Sequence, residues 1–265
     1  MADLPANALE RLLEHEVRYF AFAAEAECTD CAWVLHCSSL PGYHDVNRAL
    51  HLRDDGRGAE VVAGEVIAHF RSRNQDVVAD LDAVAESQGI GAALRKRGIM
   101  PVMGRRALMY YPHPVPPIVS APDVEVRKIA VKGDTTALRL WVETNLNQTQ
   151  AEADADYWRY TEWEARTPLC HLYLGFLDGQ PAGTCDLFAD GGWGRIEMVE
   201  TRPDFRRRGV ASAVVAKAVA DSLTMGHSQT YLFTDAEGEG ERVYARLGFV
   251  RQGVNVLHRH ISAHP

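Results

Sequence analysis

The spacing of apolar and polar residues divides the chain into short helices and strands. Between Leu9 and Phe20, apolar residues recur at helical intervals, which predicts an amphipathic helix over Ala8–Ala24. The rest of the first part, up to residue 111, has the pattern strand, strand, helix, strand, helix, strand. Its apolar stretches "CAWVLHC" and "ALMYY" are typical of strands.

The second part of the chain has a clearer order of elements. From Val124 onward, the pattern predicts a strand, two helices, three antiparallel strands, a helix, a strand, a helix and a strand. Asp178-Gly179 and Gly191-Gly192 have the composition of hairpin turns. A long helix is expected over Gly209–Met225. This order predicts an α/β fold, with a mixed sheet that carries helices on both faces.

Prolines concentrate between the two parts. The segment "YYPHPVPPIVSAPD" holds five of the 12 prolines, and proline prevents regular strand pairing. The chain has 265 residues, enough for two domains. We therefore expect an N-terminal α/β domain at 1–112, a Pro-rich linker at 113–122, and a second domain at 123–265.

Composition and charge narrow the class of protein. The 28 Lys and Arg against 36 Asp and Glu give a formal charge of -8, which disfavours nucleic acid as a partner and suits a cationic substrate. The acidic start "MADLPANALERLLEHE" is not typical of a signal peptide, and no apolar run is long enough for a membrane span. An odd count of five cysteines argues against a disulfide framework. We expect a cytoplasmic protein, monomer or homodimer, with no membrane partner.

The segment "CTDCAWVLHC" has two interpretations. Its Cys-x-x-Cys is followed by His36 and Cys37, which raises the possibility of a zinc site. Neighbouring residues of a strand point to opposite faces, however, so these two side chains cannot both join one site. Buried structural cysteines are the favoured interpretation, and no metal is expected.

Three adjacent arginines, Arg206-Arg207-Arg208, precede Gly209 between a strand and the long helix. They could be a solvated turn. A helix N-terminus, however, offers backbone N–H groups without internal partners and the positive end of the helix dipole. Phosphate binds to that combination, and arginines add charge-assisted hydrogen bonds. The context therefore favours a phosphate site over a solvated turn.

Two motifs in this part resemble one family. Arg206-Arg207-Arg208-Gly209-Val210-Ala211 resembles the R/Q-x-x-G-x-G/A motif of the GNAT superfamily of N-acetyltransferases. The preceding "VETRP" resembles the family's bulged strand end, and "VYARLGFV" further on resembles its closing Y-x-x-x-G-F signature. The order of elements over 123–262 is also similar. The resemblance implies the GNAT acyl-CoA N-acyltransferase fold.

The resemblance also implies roles for particular residues, with acetyl-CoA as co-substrate. The backbone of Val199, Glu200 and Thr201 would pair with the pantetheine arm. Tyr244 would protonate the leaving thiolate, and its alternative is a core tyrosine. Many members have Asn where this chain has Glu237. The pyrophosphate would be held by Arg206, Arg207, Arg208, Gly209, Val210, Ala211 and Ser212.

Further site residues are candidates on position and chemistry. Glu197 lies on the strand that leads into the site, on the face of Val199 and Thr201 by period-two counting, and could be the base. Its alternative is a surface glutamate. In "DADYWRYTEWEAR", Tyr157 and Trp158 could bind a cationic acceptor through their aromatic faces, or they could simply pack against the sheet.

The first part contains a weaker version of the same pattern. "SQGIGAAL" fits the phosphate motif loosely, but the residues after it leave no room for a long helix, a strand and a second helix. The segment instead resembles the closing helix of a GNAT domain. We expect two tandem GNAT-like domains, the first degenerate and unable to hold coenzyme A. An unrelated α/β cap is the alternative.

Two functions follow from these observations. The leading hypothesis is an N-acetyltransferase that moves an acetyl group from acetyl-CoA directly to a primary amine of a cationic small-molecule or peptide acceptor. The alternative is a non-catalytic sensor or interaction module that binds acyl-CoA or an amine with the same fold. DNA binding through the arginine run would require steep salt dependence and is disfavoured by the acidic composition.

Overall fold

A computed structural model describes residues 8–101, 105–114, 121, 123–130, 135–148 and 154–261, with only the backbone of 8–9 and 253–261. Most of the predicted linker, 113–122, lies outside these residues. The contacts form two units: unit 1 is drawn from Met1–Ala107 and Val254–Pro265, and unit 2 from Leu108–Gly253. Across the described ranges, no helix has the length and apolar character needed to cross a membrane.

Unit 1 is a small α/β unit. Its elements are, in chain order, α1 (Ala8–Phe20), β1 (Glu25–Cys28), β2 (Trp33–His36), a short 3-10 helix (His44–Val46), β3 (Arg48–Leu50), α2 (Ala59–Arg71), β4 (Val78–Leu81), α3 (Ala83–Ser87), α4 (Ile90–Lys96) and β5 (Met100–Pro101). The predicted helix over Ala8–Ala24 is too long, because the chain turns after Phe20 and enters β1. The sequence of β1, Glu25–Cys28, alternates polar and apolar residues, but all four are exposed, so the strand has no buried apolar face.

The sheet of unit 1 runs β1, β2, β3, β4 and the end of β12 (Val250–Ile261), with β5 also paired to β12. The strands β3 and β4 are parallel and the other pairs are antiparallel. The core is formed by α2, whose Val62, Val66 and Phe70 pack with Ala79 and Leu81 of β4. Burial of these apolar faces is the main stabilising contribution to the unit.

His51, the residue after β3, makes the stability of unit 1 sensitive to acid. Burial lowers the pKa of its imidazole from 6.5 to about 4, although the nearby carboxylates of Asp82 and Glu16 oppose the shift. The unfolded chain therefore binds a proton between these values and the folded chain does not, so the free energy of unfolding falls as pH decreases through this window. We expect His51 to account for a loss of about 2 kcal/mol between about pH 7 and pH 5.

Urea unfolding of wild type and of His51→Asn at both pH values measures this contribution. Asparagine stays neutral and tolerates the positive φ of 55° at this position. The variant should lose about 2 kcal/mol less stability on acidification than wild type does. Equal losses in the two proteins would contradict the assignment.

From Val124 onward the elements of unit 2 have the predicted order, and one further strand, β6 (Arg106–Tyr111), precedes them. In chain order the elements are β6, β7 (Val124–Lys128), α5 (Thr135–Leu146), α6 (Ala155–Arg166), β8 (Cys170–Leu177), β9 (Gln180–Asp190), β10 (Trp193–Thr201), a 3-10 turn (Pro203–Phe205), α7 (Val210–Thr224), β11 (Gln229–Asp235), α8 (Glu239–Leu247) and the start of β12. The sheet runs β7, β8, β9, β10, β11, β6. The pairs β7–β8, β8–β9 and β9–β10 are antiparallel, whereas β10 and β11 are parallel.

Helices cover both faces of this sheet, as predicted. Leu172 and Leu174 of β8 pack with Trp141 of α5, whereas Tyr173 between them packs with Val214 of α7. Successive residues of a strand point to opposite faces, so α5 and α7 lie on opposite sides. The indole N–H of Trp141 also donates to the Tyr173 carbonyl over 3.0 Å, which fixes α5 on the sheet.

The units and the predicted domains divide the chain at different residues. The prediction places all of β12 in the domain 123–265, whereas residues from Val254 onward belong to unit 1. Conversely, β6 lies almost wholly in the predicted domain 1–112, but its residues from Leu108 onward belong to unit 2. Strand pairing over long sequence separations produces this division, and local sequence patterns do not report it.

Candidate active site

The end of β10 is irregular in a way that frees backbone groups. Its register with β9 shifts between Glu197 and Glu200, so β10 has one extra residue there. Met198 in this bulge has a φ of 51°. Pairing of β10 with β11 covers only Trp193–Ile196, opposite Gln229–Leu232, although both strands continue. The backbone edge of β10 after Ile196 is therefore open on the β11 side, where an extended ligand could pair with it.

The bulge also changes which face each side chain of β10 occupies. Glu197 is ion-paired with Arg195 and lies on the face covered by α6, near Glu164. Val199 instead packs into the cluster that contains Val214 of α7, on the opposite face. The prediction that Glu197 shares a face with Val199 and Thr201 is therefore wrong. Period-two counting fails here because an extra residue interrupts the alternation.

The predicted phosphate loop forms a tight turn before α7. Arg207 has a φ of 60° and Gly209 has a φ of 86°, and α7 begins at Val210. A Cβ at Gly209 would lie 2.6 Å from the Cβ of Ala121, so only glycine fits both the conformation and the space. Consecutive turns of this kind direct neighbouring backbone N–H groups into one concavity that binds anions.

The three arginines of this loop have different surroundings. Arg206 donates to the Thr201 carbonyl and contacts Glu200 at 3.3 Å, and Arg208 contacts Asp178 at 2.8 Å. All three guanidinium groups are exposed, so these ion pairs are weak and exchangeable. Within the described ranges Arg207 makes no ion pair, which makes it the arginine most available to a phosphate.

Strand β9 brings the open edge of β10 and the start of α7 together. A Cβ at Gly183 would lie 2.6 Å from the Glu200 carbonyl oxygen and 2.7 Å from Cγ1 of Val210. Thr201, opposite Gly183 in the register, has a buried hydroxyl oxygen with no hydrogen-bond partner among the described residues. A buried polar atom normally has a partner, so a ligand at this edge would satisfy it. The edge and the loop therefore fit the two parts of coenzyme A, the extended arm and the phosphates. Val199, Glu200 and Thr201 lie next to the loop Arg206–Ser212 here, and their role in binding coenzyme A stays a prediction.

Tyr244 lies on α8, which packs beside β11 and α7. Its side chain is 8% exposed and belongs to the same apolar cluster as Val199. Phe249 packs against its ring in an edge arrangement, with centroids 6.0 Å apart. The ring is thus held rigidly on the face opposite to Glu197. Glu237, in the loop before α8, has a φ of 66°, and its amide donates to Glu241 over 2.6 Å.

Glu197 is part of a buried acidic cluster below the bulge. Asp186 of β9 accepts the backbone N–H of Glu197 over 3.0 Å, and Glu164 of α6 lies beside Asp186. Burial, and then the negative charge of Glu164, raise the pKa of Asp186 far above its ordinary value. Glu197 is only partly buried and is paired with Arg195 at 2.6 Å.

The predicted acceptor residues on α6 have separate environments. Trp158 is half-buried against the core between α5, α6 and the sheet. The Tyr157 hydroxyl donates to the side-chain oxygen of Asn145 over 2.7 Å. Asn145 in turn donates to the carbonyl oxygen of Met198, inside the bulge. Sequence reasoning did not single out Asn145, and a lone asparagine near a helix end has no local signal that could have revealed it.

In unit 1 the turn between β3 and α2 has the same place, between a strand and a helix, as the arginine loop has in unit 2. Its backbone N–H groups are bonded to a side chain of the turn itself. The Asp54 carboxylate accepts the backbone N–H groups of Gly56 and Gly58 over 2.9 and 2.8 Å. A phosphate at this helix start would meet a negative charge in place of open N–H groups. That the first half does not hold coenzyme A stays a prediction.

The cysteine-rich segment shows no sign of a metal centre. Cys28 is exposed, Cys31 and Cys37 are buried, and all are free thiols. The Cys31 thiol lies 3.5 Å from the Glu65 carboxylate, and burial raises its pKa. In the described part of the chain, no three His, Cys, Asp or Glu side chains are grouped so that they could hold a metal ion.

Comparison with solved structures shows which fold this is. A GCN5-related N-acetyltransferase from Kribbella flavida is similar over 96% of this chain and 95% of its own, with a TM-score of 0.70 and 15% identity. A GCN5-related N-acetyltransferase from Sphaerobacter thermophilus has a TM-score of 0.63 at 18% identity, over 88% of this chain and 76% of its own.

A tandem GNAT protein from the clavulanic acid biosynthesis pathway is similar over 91% of this chain and 83% of its own. Its TM-score is 0.61 at 11% identity. At these identities the likeness shows the fold alone, and that fold extends over most of the chain. The prediction of two tandem GNAT-like domains is thereby confirmed at the level of the fold.

Sequence comparison adds the family. No curated protein matches the chain in sequence. The model of the Acetyltransferase (GNAT) family matches residues 137–249, which include the bulge, the arginine loop and Tyr244. Residues 137–249 therefore match a GNAT acetyltransferase domain.

Proposed function

We propose that the protein is an N-acetyltransferase that moves an acetyl group from acetyl-CoA to a primary amine of a cationic small molecule or peptide. The family as a whole transfers acyl groups from acyl-CoA to amines. The observation that carries the proposal is the open edge of β10 beside the start of α7. Gly183 of β9 lies against both Glu200 of this edge and Val210 of α7, so an extended arm and its phosphates can bind next to each other.

The loop and the edge have separate tasks in binding acetyl-CoA. The backbone N–H groups at the start of α7 hold the pyrophosphate, with Arg207 adding a charge-assisted hydrogen bond. The pantetheine arm pairs with the backbone of Val199–Thr201, as a further strand would. This pairing orients the thioester toward the gap between β10 and β11.

Two side chains of the chain move protons in the transfer. The amine nitrogen forms a bond to the acetyl carbon while the bond from that carbon to sulfur breaks. Tyr244 donates its hydroxyl proton to the departing thiolate, and Glu197 receives the amine proton through water. Because the two residues lie on opposite faces of β10, the acceptor approaches from the Glu197 side and the thiolate leaves toward Tyr244.

The preference for a cationic acceptor rests on the surroundings of Glu197. Its carboxylate is 18% exposed and lies on the face covered by α6. Trp158 lies on α6, the helix that carries Glu164, and like Glu197 its side chain is partly exposed. Carboxylates and aromatic faces both attract ammonium groups.

Release of free thiol from acetyl-CoA in the presence of a panel of amines tests this proposal. We expect release with polyamines or basic peptides, little release with neutral amines of similar size, and one acetyl-CoA site per chain in calorimetry. Binding without thiol release for every amine would favour the sensor alternative. Failure to bind acetyl-CoA would contradict both.

A further inference from the structure

The carbonyl group of Met198 has left the strand ladder and is held by side chains. Asn145 of α5 donates its side-chain N–H to this oxygen over 2.9 Å, and the hydroxyl of Thr184 donates over 3.0 Å. Thr184 is fully buried on β9. The Met198 carbonyl oxygen therefore accepts hydrogen bonds from two side chains, one on α5 and one on β9.

Asn145 is itself held at both ends of its amide. Its nitrogen also donates to the Thr184 hydroxyl over 2.8 Å, and its oxygen accepts the Tyr157 hydroxyl over 2.7 Å. These contacts fix which end of the amide faces the bulge. The Asn145 side chain of α5 is thus hydrogen-bonded to residues of α6, β9 and β10.

The bulge needs such support because its conformation is unfavourable. A φ of 51° is rarely adopted by an unbranched residue outside turns and has a conformational cost. A carbonyl oxygen that is turned out of a ladder and left without a donor would add a further cost. Without Asn145, a regular strand that continues its pairing with β11 becomes the competing conformation.

The geometry points to Asn145 as a positioning residue that holds the Met198 carbonyl in the bulge and so keeps the edge of β10 open for the acyl-CoA arm. Asn145 acts through the backbone of β10 and does not itself take part in the chemistry. The Tyr157 hydroxyl orients the Asn145 amide. Tyr157 therefore has a structural role that differs from the predicted binding of the acceptor. The inference rests on the proposed function for the identity of the ligand, but the state of the bulge can be measured without any ligand.

The first experiment examines the bulge alone. Backbone ¹³C chemical shifts of Met198 distinguish a positive φ from an extended strand, in wild type and in Asn145→Leu. Leucine has a similar size and removes both the donors and the acceptor. We expect the Met198 shifts of the variant to move toward extended values. Thr144→Val is the matched control, because Thr144 is the buried neighbour whose hydroxyl, among the described residues, bonds within α5 to the Leu140 carbonyl at 2.6 Å. Its Met198 shifts should equal those of wild type.

The second experiment compares two ligands by calorimetry. Acetyl-CoA contains the pantetheine arm, whereas adenosine 3′,5′-bisphosphate contains the nucleotide part without it. In Asn145→Leu we expect the Kd for acetyl-CoA to rise about tenfold or more, and the Kd for the bisphosphate to stay within about twofold of wild type. Tyr157→Phe should show the same selectivity with a smaller rise. A general loss of structure would instead raise the Kd of both ligands equally.

The outcomes separate this inference from the proposed function. Unchanged Met198 shifts in Asn145→Leu would overturn the inference whatever the ligands do. The inference would also be overturned if the shifts changed while the Kd for acetyl-CoA did not, or if the Kd values of both ligands rose equally. If wild type binds no acetyl-CoA while the shifts still move, the proposed function fails and the role of Asn145 in holding the bulge stands.

Discussion

Replacing Tyr244 by phenylalanine should lower kcat about 100-fold or more and leave the Kd for acetyl-CoA unchanged. A positioned general acid commonly contributes rate factors of about 10² to 10⁴. The ring is packed against Phe249 and belongs to the cluster around Val199. Phenylalanine keeps that packing and removes only the hydroxyl, so the binding site retains its shape while the thiolate loses its proton donor.

Single-turnover and steady-state thiol release, together with calorimetry, measure this effect. Tyr173→Phe is the matched control. Tyr173 is a buried tyrosine of β8 whose hydroxyl bonds to Asp221 at 2.9 Å, so this variant also removes one hydroxyl group from a tyrosine of the core. Its kcat should equal that of wild type. An unaltered kcat in Tyr244→Phe would exclude the hydroxyl as the general acid, whereas a higher Kd for acetyl-CoA would indicate a role in binding.

Substitution of Gly183 by alanine should weaken acetyl-CoA binding about 100-fold. The new methyl group would lie 2.6 Å from the Glu200 carbonyl and 2.7 Å from Val210, and a backbone oxygen cannot yield as a flexible side chain can. Relief of the clash has to move the open edge of β10 away from the start of α7. These are the two places proposed to hold the arm and the phosphates, so a displacement of about 1 Å damages both.

Calorimetry and urea unfolding of this variant give two independent readouts. Overpacking in a buried place commonly destabilises a protein by about 1–3 kcal/mol, so the variant should still be folded. Gly42→Ala is the control, because a Cβ at Gly42 meets no atom within 4 Å. It should change neither stability nor affinity. A Gly183→Ala protein that loses stability but retains full affinity would show that the two parts of the site are not joined through this contact.

Much of unit 2 was predictable because its elements have strong local patterns. The order from β7 to β12 follows from alternation along the strands, from 3.6-residue periodicity in α8 and from the glycines Gly209 and Gly226 that flank α7. The start of α7 was predictable for a similar reason, because the positive φ of Gly209 is a local constraint that favours glycine. Such constraints act on neighbouring residues and so leave a trace in the sequence.

The errors have a common physical origin in unit 1 and at the bulge. The strand β1 was not predicted, because an exposed edge strand needs no apolar face. The face of Glu197 was mispredicted because one extra residue in β10 reverses the alternation after it. In both places, pairing with a neighbouring strand decides the conformation, and the residues involved have no distinctive local preference.

The sequence by itself determined the order of elements in the second half, the place of the arginine loop and Tyr244, and the resemblance to the GNAT family. Those features depend on periodicity, on backbone freedom at single glycines and on short motifs. Only the tertiary structure decided that Glu197 and Tyr244 lie on opposite faces of β10, and that the chain after Val254 belongs to unit 1. It alone also revealed Asn145, because a hydrogen bond between residues 53 positions apart depends on how the chain folds back and not on what surrounds either residue in sequence.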